Sequence, residues 1–435
     1  MINKQFWQHV LPAMISFAFS GIYAIVDGVF IGQNVGDAGL AAINIAYPLA
    51  ALIQATGAGI GMAGSVWLAI CIGQGAHEKE KKYLETTGIL LLGASVFLTL
   101  VLSFTYIPIL KLFGASGIIL EYANSYIRII ILGAVFQILS VGLIPIIRNY
   151  NGSILAMAAM IGGFTTNVVL DWLFIAVLGY GTGGGAVATI ISEFVTMVPC
   201  LIFLIIKQKP FNFKSIEITI TTIKEIMLTA VSPMGLILCP NIVIIILNKG
   251  AIIYGGSTAV ACYALISYVL CVVQLLLQGI GDGAQPLIGR YYGANDKKSL
   301  HKVEKMAYIF APATAFFCCI LLFVTQNLVP ILFGASDDAG AMYIKVLPFF
   351  IAGLVFWAFS RITTSIFYAT QKNKFAYILI YGEPLLLAIF VGLVLPRFIG
   401  LGLIGVWISV PLAQFCLAAL SLILIFKGKK SHKNL

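Results

Sequence analysis

Long, uninterrupted apolar runs restrict the fold of this chain more than any other feature of its sequence. Runs of about 20 residues or more recur along the whole chain, and an α-helix needs that length to cross about 30 Å of hydrocarbon. A membrane β-barrel would instead show short strands of alternating polarity. Only 10% of the residues are charged, against roughly 25% in soluble proteins. The sequence therefore predicts an all-α integral membrane protein.

The apolar runs predict twelve spanning helices. They are expected at 10–32, 44–72, 87–112, 123–147, 154–178, 184–206, 228–250, 258–290, 305–326, 341–369, 375–396 and 402–426. The first run lacks a small-residue cleavage site and contains Asp27, so it is predicted to be a retained helix and not a signal peptide.

The distribution of basic residues predicts the orientation. If both termini lie on one side, that side collects 20 of the 26 Lys and Arg residues. Because cytoplasmic loops carry an excess of Lys and Arg, we expect a multi-pass protein of the plasma (inner) membrane with cytoplasmic N and C termini. The twenty residues are Lys4, Lys79, Lys81, Lys82, Arg148, Lys207, Lys209, Lys214, Lys224, Arg290, Lys297, Lys298, Lys302, Lys305, Lys372, Lys374, Lys427, Lys429, Lys430 and Lys433.

An internal repeat divides the chain into halves. The sequence LFGAS occurs at 112–116 and again at 332–336, an offset of 220 residues. The same offset aligns Asn151 with Gln371. Because each half holds an even number of helices, the two halves should be related by a pseudo-two-fold axis along the membrane normal, with a transport path between them.

The longest polar connection coincides with this division. The predicted organisation is an N-terminal six-helix lobe at 1–206, a cytoplasmic linker at 207–226 and a C-terminal six-helix lobe at 227–435. The predicted fold is thus twelve transmembrane helices in two pseudo-symmetric six-helix bundles.

Acidic residues inside the apolar runs are the candidates for function, because charged groups at membrane depth cost several kcal/mol or more and mostly face cavities. Asp27, Asp171 and Thr189 each lie about 8 to 10 Å below the predicted outer face, at 1.5 Å per residue. Asn167 lies one turn from Asp171 on the same face. Carboxylate, amide and hydroxyl oxygens together suit a proton or Na⁺. The alternative is a structural hydrogen-bond network between helices.

Other polar residues are expected to support this cluster or to form a second one. Tyr23 shares a helix face with Asp27, and Glu193 shares one with Thr189. A possible second cluster comprises Asp282, Glu383 and Arg290, for which a structural ion pair is the alternative. No further metal site is predicted.

Enzymatic function has little support in this sequence. The four histidines fall in predicted loops or tails, and no set of nucleophile, base and acid lies at one depth. We therefore expect no catalytic residues, no enzyme activity and no cofactor. No basic stripe suggests a nucleic-acid partner.

Five motifs resemble those of the multidrug and toxic compound extrusion (MATE) family. They are YAIVDGVFIG at 23–32, LAAINIAYPL at 40–49, NVVLDWLF at 167–174, GAVATIIS at 185–192 and QPLIGRYYGA at 285–294. Their order and spacing are similar to the DNA-damage-inducible F-type (DinF-like) branch of this family, which belongs to the MOP flippase superfamily.

The resemblance implies a cation or proton site formed by Asp27, Asn167, Asp171 and Thr189. It also places Tyr23 beside that site and Pro12 where a proline is associated with bending of helix one. Other MATE branches carry functional acids on helices seven, eight or ten, whereas here helix seven has none. Those roles are therefore not transferred to Asp282 or Glu383.

The resulting hypothesis is a cation-coupled (H⁺ or Na⁺) antiporter that exports amphipathic, often cationic, drugs or toxic compounds by alternating access. Its partners would be those small substrates and membrane lipids, and we expect a monomer. One alternative is a flippase for lipid-linked oligosaccharides or lipids from the same superfamily, for which Arg128 and Arg361 are the basic residues expected at depth. The other alternative is a membrane sensor that does not transport.

Overall fold

The computed structural model describes residues 2–208, 218–333 and 335–431. Within these ranges all regular secondary structure is helical. Residues 209–217 of the predicted linker, Gly334 of the second LFGAS motif and the last four residues lie outside the described part of the chain.

Thirteen α-helices and two π-helical segments make up the described chain. The helices are α1 Ile2–Val35, α2 Asp37–Gln74, α3 His77–Leu112, α4 Gly117–Leu132, α5 Ala134–Asn149, α6 Ser153–Asp171, α7 Gly181–Gln208, α8 Ile220–Gly293, α9 Lys297–Thr325, α10 Leu328–Leu332, α11 Asp337–Ala369, α12 Asn373–Ile389 and α13 Gly402–Ser431. The π-helical segments Trp172–Val177 and Phe390–Phe398 extend α6 and α12.

Twelve spans can be counted in the described residues. Ten helices are long and apolar enough to cross a membrane, and α4 with α5, which meet at a bend of 59°, form an eleventh span. Helix α8 has 74 residues, but Gly256 interrupts it with φ 67° and ψ −161°. Since 74 residues of continuous helix would extend about 110 Å, α8 contains two crossings, which brings the count to twelve.

Several helices extend beyond the predicted spans, because hydropathy marks the hydrocarbon crossing and not the end of the helix. Helix α9 begins at Lys297, where the sequence predicted residue 305. Asp296 caps it by accepting hydrogen bonds from the Ser299 backbone N–H at 3.0 Å and from its hydroxyl at 2.5 Å. These bonds hold the pKa of Asp296 below its ordinary value.

The packing of the two halves repeats at the predicted offset. A Cβ added at Gly279 of α8 would lie 2.6 Å from the Cα of Met14 in α1, and one added at Gly59 of α2 would overlap the side chain of Met234. Both the glycines and the methionines are separated by 220 residues. Equivalent positions therefore make equivalent interhelical contacts. We refer to α1–α7 as the N-terminal lobe and α8–α13 as the C-terminal lobe.

A hydrogen bond between Ser65 and Gln285 marks the pseudo-two-fold axis. The Ser65 hydroxyl donates to Gln285 Oε1 at 2.9 Å, and the two residues are 220 positions apart. A residue can contact its own counterpart only close to the axis. Asn149 Nδ2 reinforces this contact by donating to Ser65 Oγ at 2.8 Å. Helices α2 and α8 therefore cross at the axis.

The lobes are closed at the face where α1 begins and α13 ends, which we call the terminal face. The described hydrogen bonds between lobes lie at this end, including Tyr291 to Gln5 at 2.8 Å. Apolar residues of α1 and α2 also join the core of the C-terminal lobe at this end. They are Phe6, Val10, Met14, Met62, Val66 and Ile70.

The close approach of α1 and α8 predicts opposite effects for two glycine substitutions. Gly279→Ala should destabilise the protein by about 1–3 kcal/mol, because the new methyl group would press on the α1 backbone. Gly93→Ala should be neutral or stabilising by up to about 1 kcal/mol, because a Cβ there has no neighbour within 4 Å. Thermal unfolding of the purified variants tests this pair, and equal melting temperatures would contradict the packing described here.

Candidate functional site

Four polar side chains from three helices meet inside the N-terminal lobe. Asp27 comes from α1, Asn167 and Asp171 from α6, and Thr189 from α7. Asn167 and Asp171 are fully buried, whereas Asp27 and Thr189 are partly buried. The three residues expected at one depth, and Asn167 one turn from Asp171, are therefore adjacent in the structure.

The amide of Asn167 connects α6 to α7. Its nitrogen donates to Asp171 Oδ2 at 2.6 Å, and its oxygen accepts from the Thr189 backbone N–H at 3.1 Å. The Thr189 hydroxyl donates to the Gly185 carbonyl oxygen at 3.0 Å. Asn167 thus holds one carboxylate oxygen of Asp171 in a fixed position beside α7.

The carboxyl groups of Asp27 and Asp171 lie within hydrogen-bonding reach of each other. The second oxygen of Asp171, Oδ1, is buried and has no hydrogen-bond partner among the described residues. Neither carboxyl has a Lys or Arg nitrogen within 4.0 Å in the described chain. Two neighbouring carboxylates without a basic partner are costly to ionise together, so the pair suits a shared proton or a small cation.

Aromatic residues line this cluster. The ring of Tyr23 stacks on Phe164 with centroids 5.4 Å apart, and its hydroxyl is within hydrogen-bonding reach of Thr189. Tyr126 of α4 lies close enough to interact electrostatically with both Asp27 and Asp171. Tyr126 was not among the predicted site residues, because the fourth predicted span carries no acid that would mark it as part of a site.

Two residues proposed as supporting the cluster lie apart from it. Glu193 accepts a short hydrogen bond from the Ser140 hydroxyl and so faces α5. Pro12 is buried about 22 Å along α1 from Asp27, at 1.5 Å per residue. Helix α1 continues through Pro12, whose carbonyl oxygen accepts from the Ser16 hydroxyl at 2.5 Å.

The second cluster contains two of the three predicted residues, Asp282 and Glu383, both of which interact electrostatically with Arg361. Asp282 accepts hydrogen bonds from the Tyr368 hydroxyl at 3.0 Å and from Gln278 Nε2 at 3.4 Å. Gln278 Oε1 in turn accepts from Arg361 Nη2 at 3.3 Å. Glu383 interacts electrostatically with Arg361. The cluster is a chain of polar contacts inside the C-terminal lobe and contains no direct ion pair within 4.0 Å among the described residues.

Arg290 does not join this cluster, whereas Arg148 of the N-terminal lobe approaches it. Arg290 donates through Nη2 to the Asn149 carbonyl oxygen at 2.7 Å, near the terminal face. Arg148, only 2% exposed, interacts electrostatically with Asp282 and lies 5.7 Å over the ring of Phe17. From the sequence we expected Arg148 at a helix end and Arg128 at depth, whereas the Arg148 side chain is buried and that of Arg128 is exposed. Hydropathy could not show that other helices bury the end of α5.

Comparison with known proteins identifies the family. The sequence model of the MatE family matches residues 12–173 and again 233–394, once in each half. The chain belongs to the MatE family. It is 23% identical to the multidrug export protein MepA of Staphylococcus haemolyticus over 98% of this chain and 93% of that protein. It is also 23% identical to the probable multidrug resistance protein YoeA of Bacillus subtilis, over 96% and 91%.

A solved structure shows the same fold. The outward-facing conformation of a multidrug resistance MATE transporter of the MOP superfamily superimposes with a TM-score of 0.92 at 24% identity, covering 100% of this chain and 97% of that one. Membership of the MATE family and a helical, multi-pass membrane fold, both predicted from the sequence, are thus confirmed. The roles of the individual site residues stay predictions.

The second cluster predicts different outcomes for two Tyr→Phe substitutions on α11. Tyr368→Phe should destabilise the protein by about 1–3 kcal/mol, because it removes the hydrogen bond to the buried Asp282 carboxylate. Tyr343→Phe should be neutral or stabilising, because that buried hydroxyl has no hydrogen-bond partner among the described residues. Melting temperatures of both variants measure the difference, and an equal loss in both would contradict a specific role for the Tyr368 hydroxyl.

Proposed function

We propose that this protein exports amphipathic, often cationic compounds, driven by inward movement of H⁺ or Na⁺ through alternating access. The observation that carries the proposal is the pair of Asp27 and Asp171, placed in apolar helices without a basic partner in the described chain. The names of the relatives, multidrug export and multidrug resistance proteins, support the substrate class.

The chemistry of the cluster suits either coupling ion. A proton would be shared by the two carboxyl groups and would remove the repulsion between them. Na⁺ prefers hard oxygen ligands, which the carboxylates, the Asn167 amide oxygen and the Thr189 hydroxyl would supply. The unpartnered Oδ1 of Asp171 is the atom best placed to accept either cation.

Helix α1 is the element that would transmit occupation of the site to the other lobe. It carries Asp27, and another of its faces packs closely on α8. A Cβ added at Gly21 would lie 2.9 Å from the Cα of Val272. A cation held between α1 and α6 would change how firmly α1 is bound to its own lobe. The site would thereby favour one arrangement of the lobes over another, which is the requirement for coupling.

The proposal includes an orientation in the membrane, which rests on the distribution of basic residues. With 20 of 26 basic residues on the terminal side, we place the termini in the cytoplasm and the protein in the plasma membrane. The closed terminal face then corresponds to a state that opens outward. We also propose that the protein works as a monomer without a cofactor, with small amphipathic compounds and membrane lipids as its partners.

Asp171→Asn should abolish gradient-driven export, because an amide can neither take up a proton nor neutralise a cation. Efflux of ethidium from proteoliposomes, measured under separately imposed Na⁺ and proton gradients, tests this and also identifies the coupling ion. The matched control is Asp338→Asn, which changes an exposed acid outside the cluster and should retain wild-type flux.

Full flux in Asp171→Asn would refute the assignment of the site. Ethidium binding without flux in the wild-type protein, under either gradient, would favour a sensor. Movement of a lipid-linked sugar between leaflets, without ethidium efflux, would favour a flippase.

A further inference from the structure

A polar cavity lies between the lobes at the terminal face, separate from both clusters described above. Its volume is about 350 Å³. Its polar lining consists of Gln5, Gln8, His9, Asn151, Ser153 and Arg290. Five of these residues belong to the N-terminal lobe, and Arg290 comes from α8. A molecule bound here would therefore contact both lobes.

The lining is cationic and rich in hydrogen-bond donors. Arg290 uses Nη2 for the Asn149 carbonyl oxygen, while its buried Nε has no partner among the described residues. The His9 ring lies 2.7 Å from the Ser153 hydroxyl, and both side chains are more than nine-tenths buried. The charged groups that act on His9 are Arg290 and Arg148, both positive.

No carboxylate among the described residues lines this cavity. Glu80 of α3 accepts a hydrogen bond from the Tyr150 hydroxyl at 2.9 Å and is engaged there. Burial and this contact raise the pKa of Tyr150, so that its hydroxyl remains a donor. The Arg290 side chain is partly buried, and a charge withdrawn from water is less favourable without a counter-charge. The charge of this lining therefore suits an anionic ligand.

The other half of the chain contains a pseudo-symmetric counterpart of this cavity, with which its lining can be compared. The offset of 220 relates His9 to Thr229 and Ser153 to Asn373. The contact between them is retained, because Asn373 Nδ2 donates to Thr229 Oγ1 at 3.1 Å. The two places are thus built on the same backbone arrangement.

The counterpart is filled and acidic, unlike the cavity. Trp67 occupies it, with its ring stacked on Tyr83 at 5.1 Å and its Nε1 donating to the Glu225 carbonyl oxygen at 3.3 Å. The Tyr83 hydroxyl donates to the Glu225 carboxylate. The residue equivalent to Trp67 is Leu287, and the smaller side chain leaves the space open. The cavity described here belongs to the cationic member of the pair.

We propose that this cavity binds a phosphate-type anion, supplied either by a phospholipid headgroup or by free phosphate. The Arg290 guanidinium provides the charge, and the amides of Gln5, Gln8 and Asn151 with the Ser153 hydroxyl provide further donors. Because the lining comes from both lobes, the bound anion stabilises the closed terminal face.

The test uses the purified full-length chain. Its melting temperature is followed by tryptophan fluorescence during titration with inorganic phosphate, against chloride at equal ionic strength. In parallel, retention of phosphatidylglycerol or phosphatidylcholine from mixed nanodiscs is measured by native mass spectrometry. Arg290→Met should weaken binding by about tenfold or more, since hydrogen bonds to a charged group are among the stronger ones. Arg290→Lys should retain part of the affinity.

Two further variants separate binding from folding. Leu287→Trp keeps every charge and fills the cavity as Trp67 fills the counterpart, so it should lose binding even if Arg290→Met does not fold. Arg397→Met removes an exposed guanidinium outside the cavity and should bind as the wild type does.

A saturable phosphate response lost in Leu287→Trp would support a soluble anion as the ligand. Selective retention of phosphatidylglycerol, lost in the same variant, would support a lipid headgroup. No response to either probe, or equal binding in Leu287→Trp and wild type, would overturn the proposal. None of these readouts depends on export.

Discussion

The close crossing of α2 and α8 at the pseudo-two-fold axis is the contact on which the arrangement of the lobes depends. Inside a bilayer, lipid is as apolar as a helix surface, so helices associate through close backbone packing and hydrogen bonds. Gly73 of α2 and Gly293 of α8 allow this approach, because a Cβ at either position would overlap the backbone of the other helix. The Ser65 to Gln285 hydrogen bond then fixes the register of the crossing.

The two halves share a scaffold but not a chemistry. The counterparts of Asn167 and Asp171 are Leu387 and Val391. Both are buried, and Val391 packs where a Cβ on Gly250 would touch it. The polar cluster of the C-terminal lobe lies mainly on α8 and α11, around Asp282, and its one residue on α12 is Glu383, one turn before Leu387. The candidate cation site built from Asp27 and Asp171 thus lies in the N-terminal lobe, and the other lobe would respond to it through α1.

Much of the candidate site could be predicted because helix geometry fixes both depth and face. Asp27, Asp171 and Thr189 could be placed at one level by counting residues from the ends of their apolar runs, and Asn167 follows Asp171 by helical periodicity. The twelve crossings could be predicted for the same reason, since the length of each apolar run is set by the bilayer.

Features that depend on contacts between distant segments could not be predicted. Arg148 sits near a helix end, where hydropathy implies exposure, yet its side chain is buried and contacts Phe17 of α1 and Met160 of α6. Arg290 points towards Asn149 and not along α8 towards Asp282. The bend at Gly133 also has no strong signal, because a single glycine in an apolar run is common in membrane helices.

The two π-helical segments lie at equivalent places in the two halves of the chain. One begins directly after Asp171, and the other spans Val391, its counterpart. A π-turn widens a helix and often occurs at functional sites, but here it is present in both halves although only one carries the acid. The widened turn is therefore part of the scaffold that the two halves share, and the acid in one half and the valine in the other give the same backbone shape different chemistry.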